Sequence, residues 1–381
     1  MRGVAIHPAA NTCELLLINL RLFIFEKSDT KLNLEYRTLG KTGLRVTIVG
    51  YGAMRTTDSA VLQRALDLGI NFVDTAHGYQ DGNNELMVGK VIAPRRKEII
   101  LCTKIPAADK GRFRQYLPDS TTKSKMEDWF ETSLQRLKTD YVDILYLHNS
   151  KTIDDIHNEA ANELFSKWKT EGKIRFMGFS THSNEAELLE QAAKDKFWDV
   201  ILVAYNFKKE EALTKAVQAA AAAGIGIVAM KTQAGGYKTD ALGDVSPHQA
   251  ALKWVLQNPA VHTTIPSMTT FAELEEDVQV MGQKMGWHDR KILHRYSQAI
   301  DKHYCRSCGA CIETCPHGMD SPELNRCLMY YQGYGDLNLA RTSFNALPFE
   351  TKCVSCSYCR AQCKYGIDLA SRMALIPELF A

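Results

Sequence analysis

Short apolar runs rich in branched and aromatic residues recur through the first three quarters of this chain, and after most of them apolar positions return every three or four residues. Eight runs fit strands: VTIVGYGA (46–53), NFVDTA (71–76), EIILCTK (98–104), YVDILYLH (141–148), KIRFMGFS (173–180), WDVILVAYN (198–206), GIGIVAMK (224–231) and HTTIP (262–266). Between them, segments such as DSAVLQRALDLG, SKMEDWFETSLQRLK, NEAELLEQAAKDK and KEEALTKAVQAAAAAG have helical spacing, and two of them end at glycine. Eight strand-helix units in about 250 residues predict an α/β fold, a parallel (β/α)8 TIM barrel over residues 35–285. A doubly wound open sheet is the competing arrangement. Beyond residue 270 the stretch TFAELEEDVQVMGQKMGWHDRKILHRYSQAIDKHY predicts a polar packing helix and a connector.

In a parallel barrel the chemistry belongs at the C-terminal ends of the strands. Those ends carry Asp74 and Tyr79 after the second strand, Lys104 closing the third and His148 closing the fourth. A lone Lys or His at a strand end is commonly a solvated surface residue, but four ionisable groups on three consecutive strands converge on one mouth. A phenol with a pKa of about 10 donates a proton at neutral pH only beside a cation, which Lys104 supplies. Asp74 would hold that ammonium and offset the cost of its burial.

The stretches YRTLGKTGLRVTIVGYGAM and GINFVDTAHGYQDGNNELMVGKVI resemble the aldo-keto reductase family over roughly residues 35–285, with an Asp followed five residues later by a Tyr. The resemblance implies Tyr79 as general acid, Asp74 and Lys104 as its partners, and His148 as the residue that orients a carbonyl. Where that family binds a nicotinamide cofactor, this chain departs from the pattern. The corresponding positions read Ser180-Thr181, Leu202, Met230 and Glu273, and of the family's usual side chains only the serine remains. Leu202 cannot hydrogen-bond an amide, and an acidic side chain repels a phosphate. Lys231, the QAGG loop with Gly235 and Gly236, and the backbone from Ser267 into the last helix remain as candidate phosphate contacts. The bland reading of QAGGY is an ordinary loop.

Composition adds one strong asymmetry. The 381 residues are 45% hydrophobic and 24% charged with a net charge of +2, which gives no electrostatic case for nucleic acid. Nine of the 11 cysteines, however, fall within 59 residues near the C-terminus. Cys305, Cys308, Cys311 and Cys315 follow the spacing C-x2-C-x2-C-x3-C-P, and Cys353, Cys356, Cys359 and Cys363 repeat it without the proline. Two such runs predict two [4Fe-4S] clusters in a mostly α-helical, ferredoxin-like domain over residues 286–381. Three thiolates of each run serve one cluster and the fourth serves the other, so Cys363 joins Cys305, Cys308 and Cys311, while Cys315 joins Cys353, Cys356 and Cys359. Zinc, which prefers two C-x2-C pairs in one tetrahedral site, is the competing reading. Cys13, Cys102 and Cys327 lack partner spacing and read as structural thiols.

The apolar stretch LLLINLRLFIF (15–25) contains Asn19 and Arg21 and is too short to span a bilayer. Residues 1–34 read as a peripheral extension or as sequence upstream of the native start, and the clustered thiols fit a reducing, cytoplasmic setting.

A cluster passes single electrons and a nicotinamide passes a hydride, so the two halves need a carrier able to do both, such as a flavin. The expectation is an oxidoreductase acting on a small carbonyl or alcohol, with FMN or NADP(H) in the barrel and a redox protein as partner. Two alternatives stand beside it: an NAD(P)H-dependent carbonyl reductase with structural or regulatory clusters, and a non-catalytic electron-transfer or redox-sensing subunit. The loop IPAADKGRFRQYLPDSTTK (105–123) is the candidate substrate lid.

Overall fold

Leu39, Leu44 and Val46 are the first apolar residues to be buried, and they form a plug. They lie on a hairpin of β1 (Tyr36–Thr38) and β2 (Arg45–Thr47), whose strands pair antiparallel. The hairpin sits at the N-terminal ends of the barrel strands, where Gly226 leaves room for Leu39. The expected first strand over 46–53 is therefore two pieces: Val46 and Thr47 belong to the plug, and the barrel strand β3 spans Tyr51–Gly52. Seven parallel strands follow: β4 (Phe72–Asp74), β5 (Ile100–Pro106), β6 (Val142–His148), β7 (Ile174–Thr181), β8 (Val200–Ala204), β9 (Gly226–Met230) and β10 (Thr263–Thr264). The sheet runs in chain order from β3 to β10, and a parallel bridge between Val49 and Thr264 brings its two edges together. The barrel interior is apolar, with Phe72, Ile144, Tyr146, Leu202 and Val228 in one cluster. Gly178 is required there, because a Cβ would lie 2.6 Å from the Tyr146 ring.

The computed structural model describes residues 33–106, 119–238, 240–242, 246–347, 353, 356 and 358–380. The expected N-terminal extension, Cys13 and most of the expected lid lie outside the described residues. Around the barrel run α1 (Ser59–Asp67), α2 (Asn83–Ile92), α3 (Asp119–Leu137), α4 (Ile153–Ile156), α5 (Glu159–Thr170), α6 (Glu185–Asp195), α7 (Glu211–Ala222), α8 (His248–Leu256) and α9 (Phe271–Val278). Side chains cap several of them: Asp58 accepts from Ala60 N at 2.8 Å, and Asn158 accepts from Ala161 N at 2.9 Å.

The C-terminal segment is helical. It contains α10 (Trp287–Ala299), α11 (Ala310–Thr314), α12 (Ser321–Gln332), α13 (Leu337–Asn345) and α14 (Leu369–Phe380). Leu34–Ala381 pack as one compact unit, and a single apolar cluster explains why. It joins Ala234, Tyr237 and Ala250 of the barrel side to Leu324, Leu328, Met329, Met373 and Phe380 of the C-terminal helices. Burial of this shared core fixes the position of α12, the helix that matters most for the site.

Candidate active site and cysteine centres

β4 ends at Asp74, β5 carries Lys104 near its end, and β6 closes on His148, so adjacent parallel strands deliver three ionisable groups to one rim. Tyr79 enters from the loop after β4, where Gln80 and Asp81 take left-handed conformations that turn the chain sharply. The Lys104 ammonium is ion-paired with Asp74 Oδ1 and donates to Thr75 O at 2.7 Å. It lies 4.8 Å from the centre of the Tyr79 ring, and the Tyr79 and His148 rings meet edge to face at 5.9 Å. All four expected catalytic side chains are thus brought together.

Burial pulls Lys104 down, but the Asp74 carboxylate and the Tyr79 hydroxyl outweigh it and hold the ammonium above its ordinary range. Burial pushes Asp74 upward while Lys104 pulls it back. The direction that governs the pair is that of Lys104, because its Nζ has two oxygen partners. Burial also raises the Tyr79 phenol, with Lys104 opposing, so Tyr79 rests as a neutral acid. Burial, Lys104 and Arg326 push His148 down to about 3, and its imidazole is neutral at pH 7.

The tetrad opens into a cavity of about 420 Å3 whose roof comes from the C-terminal helices. Asp74, Tyr79 and His148 line one side, and Glu323, Arg326 and Tyr330 of α12 line the other. The Lys231 ammonium lies 5.0 Å from the centre of the Tyr330 ring and donates to its hydroxyl at 3.3 Å. Lys151 ties the helix down through Asp320 at 2.9 Å and Glu323 at 3.5 Å.

The expected cofactor contacts separate into two groups. Lys231 and Ser267 line the main cavity, and Gly236 lines a neighbouring one of about 440 Å3 that also receives Glu273, Glu276 and Asp277. Ser180 and Thr181 are buried beneath the floor: Ser180 Oγ accepts from Asn149 N at 2.9 Å, and Thr181 Oγ1 donates to Ser183 O at 2.7 Å. The residue that lines the cavity beyond them is His182. Gly235 is covered by α12, because a Cβ there would lie 2.9 Å from Met329 and its carbonyl is packed directly against Gly333. Sequence reasoning did not identify His182 or Arg326. His182 was within reach as the next polar residue after β7, whereas nothing local marks Arg326 as part of a barrel mouth.

The cysteines form two groups. Cys305, Cys308, Cys311 and Cys363 line one small cleft with Pro322, Ile367 and Leu369. The backbone N–H groups of Ser307 and Tyr365 point at Cys305 Sγ and Cys363 Sγ, each at 3.4 Å, a kind of contact that tunes cluster-bound sulfur. Cys353 lies within electrostatic reach of Cys356, Cys359 and Cys315. This donor set fits two cubane cores, each with three thiols from one run and one from the other. Among the described residues, no three His, Cys, Asp or Glu side chains are placed to share a single metal ion. The segment is anchored to the barrel by Lys209, which is paired with Glu185 and donates to Arg306 O at 2.8 Å, and by Lys364 with Glu210 at 2.9 Å. Cys102 and Cys327 are fully buried away from both groups.

Among the described residues no helix is long and apolar enough to cross a membrane. Residues 49–244 match the aldo/keto reductase family, and residues 304–367 match the 4Fe-4S dicluster domain. The oxidoreductase YqkF of Bacillus subtilis is 30% identical over 302 residues, covering 70% of this chain and 95% of that relative. L-galactose dehydrogenase of Arabidopsis thaliana is 36% identical over 162 residues, 39% of this chain and 48% of the relative. Among solved structures, the holo form of aldo-keto reductase AKR11C1 from Bacillus halodurans matches with a TM-score of 0.56 at 27% identity, over 69% of this chain and 96% of that one. The chain belongs to the aldo/keto reductase family, as an oxidoreductase whose barrel is joined to a 4Fe-4S dicluster domain.

Proposed function

We propose that this protein interconverts a small carbonyl compound and its alcohol in the barrel cavity, exchanging electrons through two [4Fe-4S] clusters and a carrier bound beside the tetrad. Reduction adds a hydride equivalent to the carbonyl carbon and a proton to its oxygen. Tyr79 gives that proton, Lys104 stabilises the phenolate left behind, and neutral His148 donates a hydrogen bond to the oxygen as charge builds on it. Asp74 opposes the burial that lowers Lys104 and so favours its charged form.

The observation that carries this reading is the position of α12. Its Arg326, together with His182 and Lys231, lines both the main cavity and a small gap that reaches Cys305 and Pro322. One cysteine group therefore stands next to the cavity that holds the tetrad. In this reading Cys305, Cys308, Cys311 and Cys363 hold the inner cluster, and Cys353, Cys356, Cys359 and Cys315 hold the outer one. Cys353 and Cys356 are exposed, as is Cys308 of the other set, and a redox protein would reach the outer cluster at Cys353 and Cys356. The clusters supply single electrons, and a flavin supplies the conversion to a two-electron step. Lys231 and Ser267 line the main cavity and could receive the phosphate of either FMN or NADP(H), while α12 covers Gly235.

Anaerobic purification followed by iron, sulfide, flavin and zinc quantification tests the reading. About eight iron atoms per chain with one flavin are expected, together with carbonyl-dependent oxidation of reduced viologen. Zinc in place of iron overturns the cluster assignment, and NADPH oxidation that persists after the clusters are stripped overturns the electron route.

A further inference from the structure

The cavity above the tetrad has an excess of positive charge with unused hydrogen-bonding capacity. Arg55, Lys151, Lys231 and Arg326 line it against only two carboxylates, Asp74 and Glu323. Asp74 is committed to Lys104, Glu323 is shared between Lys151 and Arg326, and Asp320 just outside the lining also pairs with Lys151, so the excess rests on Arg55 and Lys231. Lys231 has no carboxylate partner among the described residues; its hydrogen bond goes to the Tyr330 hydroxyl. Three nitrogens of its lining residues are buried without any protein partner: Arg55 Nε, Arg326 Nε and Nδ1 of His182, a residue only 8% exposed. Such groups normally find partners, and leaving a buried one unpaired is costly.

We propose that Arg326, His182 and Lys231 form an anion subsite for a carboxylate on the substrate, so that the substrate is a small oxo acid or the matching hydroxy acid. This rests on the carbonyl-alcohol reading above and narrows it. Arg326 and His182 both lie within electrostatic reach of His148, which puts the anion close to the carbonyl that His148 orients. A neutral aldehyde would leave Arg326 Nε and His182 Nδ1 unpaired, whereas a carboxylate can accept hydrogen bonds from this wall and balance Lys231. The C-terminal segment thereby contributes a specificity residue as well as electrons, since Arg326 lies on α12 between the two cysteine runs. Glu323 fixes the guanidinium through one terminal nitrogen and leaves Nε for the ligand.

A phosphate on a bound carrier is the other source of such an anion, and the test separates the two. Anaerobic holoprotein is titrated calorimetrically with malonate, with malonamide and with inorganic phosphate, in wild type, Arg326→Gln and Arg326→Lys. No turnover is needed, so the result stands whether or not the electron route is correct. Malonate is expected to bind, malonamide not to bind, and Arg326→Gln to weaken malonate at least about tenfold. Arg326→Lys should recover part of that loss with iron content unchanged, which excludes simple misfolding. Equal binding of malonate and malonamide, or unchanged malonate binding in Arg326→Gln, overturns the proposal. So does a variant that loses its flavin while phosphate competes and malonate does not, because the anion is then the carrier's.

Discussion

In the proposed reaction Tyr79 is the acid, with the Lys104 ammonium 4.8 Å from the centre of its ring and Asp74 paired to that lysine. Tyr79→Phe should lower kcat by about 10²-fold or more in a viologen-linked carbonyl assay, with iron content unchanged. His148 gives a pH prediction. Its folded-state pKa is about 3 against an ordinary 6.5, so between those values the unfolded chain binds a proton that the folded chain rejects. Stability contributed by His148 is complete above about pH 6.5 and is lost as pH falls toward 3. The anaerobic melting midpoint should therefore drop on acidification from pH 7, less steeply in His148→Gln. The convergence of Asp74, Tyr79, Lys104 and His148 on one rim was legible from sequence because β4, β5 and β6 are adjacent and parallel, and a strand end in such a barrel is a fixed address. Arg326 was not legible, because it reaches the mouth only through the docking of a helix over 170 residues beyond His148.

At the level of elements, the strand pattern was readable because fully buried parallel strands are short continuous apolar runs, and all eight runs contribute to the sheet. The first run misled at one end, since Val46 and Thr47 have strand character but pair with β1 in the plug. The role of α12 is set by close packing. Gly333 follows it so tightly against Gly235 that no side chain fits between them. Gly333→Ala should push the roof off the β9 loop, and a lowered rate with full iron content would show it. If the variant keeps wild-type kinetics, the roof helix does not shape the cavity.

Across the whole molecule, the two cysteine runs were plain in the sequence, while their attachment to the barrel was not, because the shared core is assembled from residues more than 70 positions apart. The interlocked assignment makes a crossed prediction. Cys363→Ala, although in the second run, should remove the inner cluster and abolish turnover, whereas Cys315→Ala should remove the outer one. Iron analysis and electron paramagnetic resonance of each variant check this, with about half the iron retained in both. Loss of both clusters in either variant would instead mean that the two centres fold as one. The same assignment changes what the roof is. With Cys315 and Cys353 on one outer core, the 37 residues between them, including α12 and α13, form a loop stapled shut at both ends. A staple of that kind limits the freedom of the unfolded loop much as a disulfide does. Cys353 and Cys356 are exposed, so an oxidant that destroyed a cluster held there would also release the ceiling of the reaction chamber. Damage to the wiring would then silence the catalyst by opening it to water.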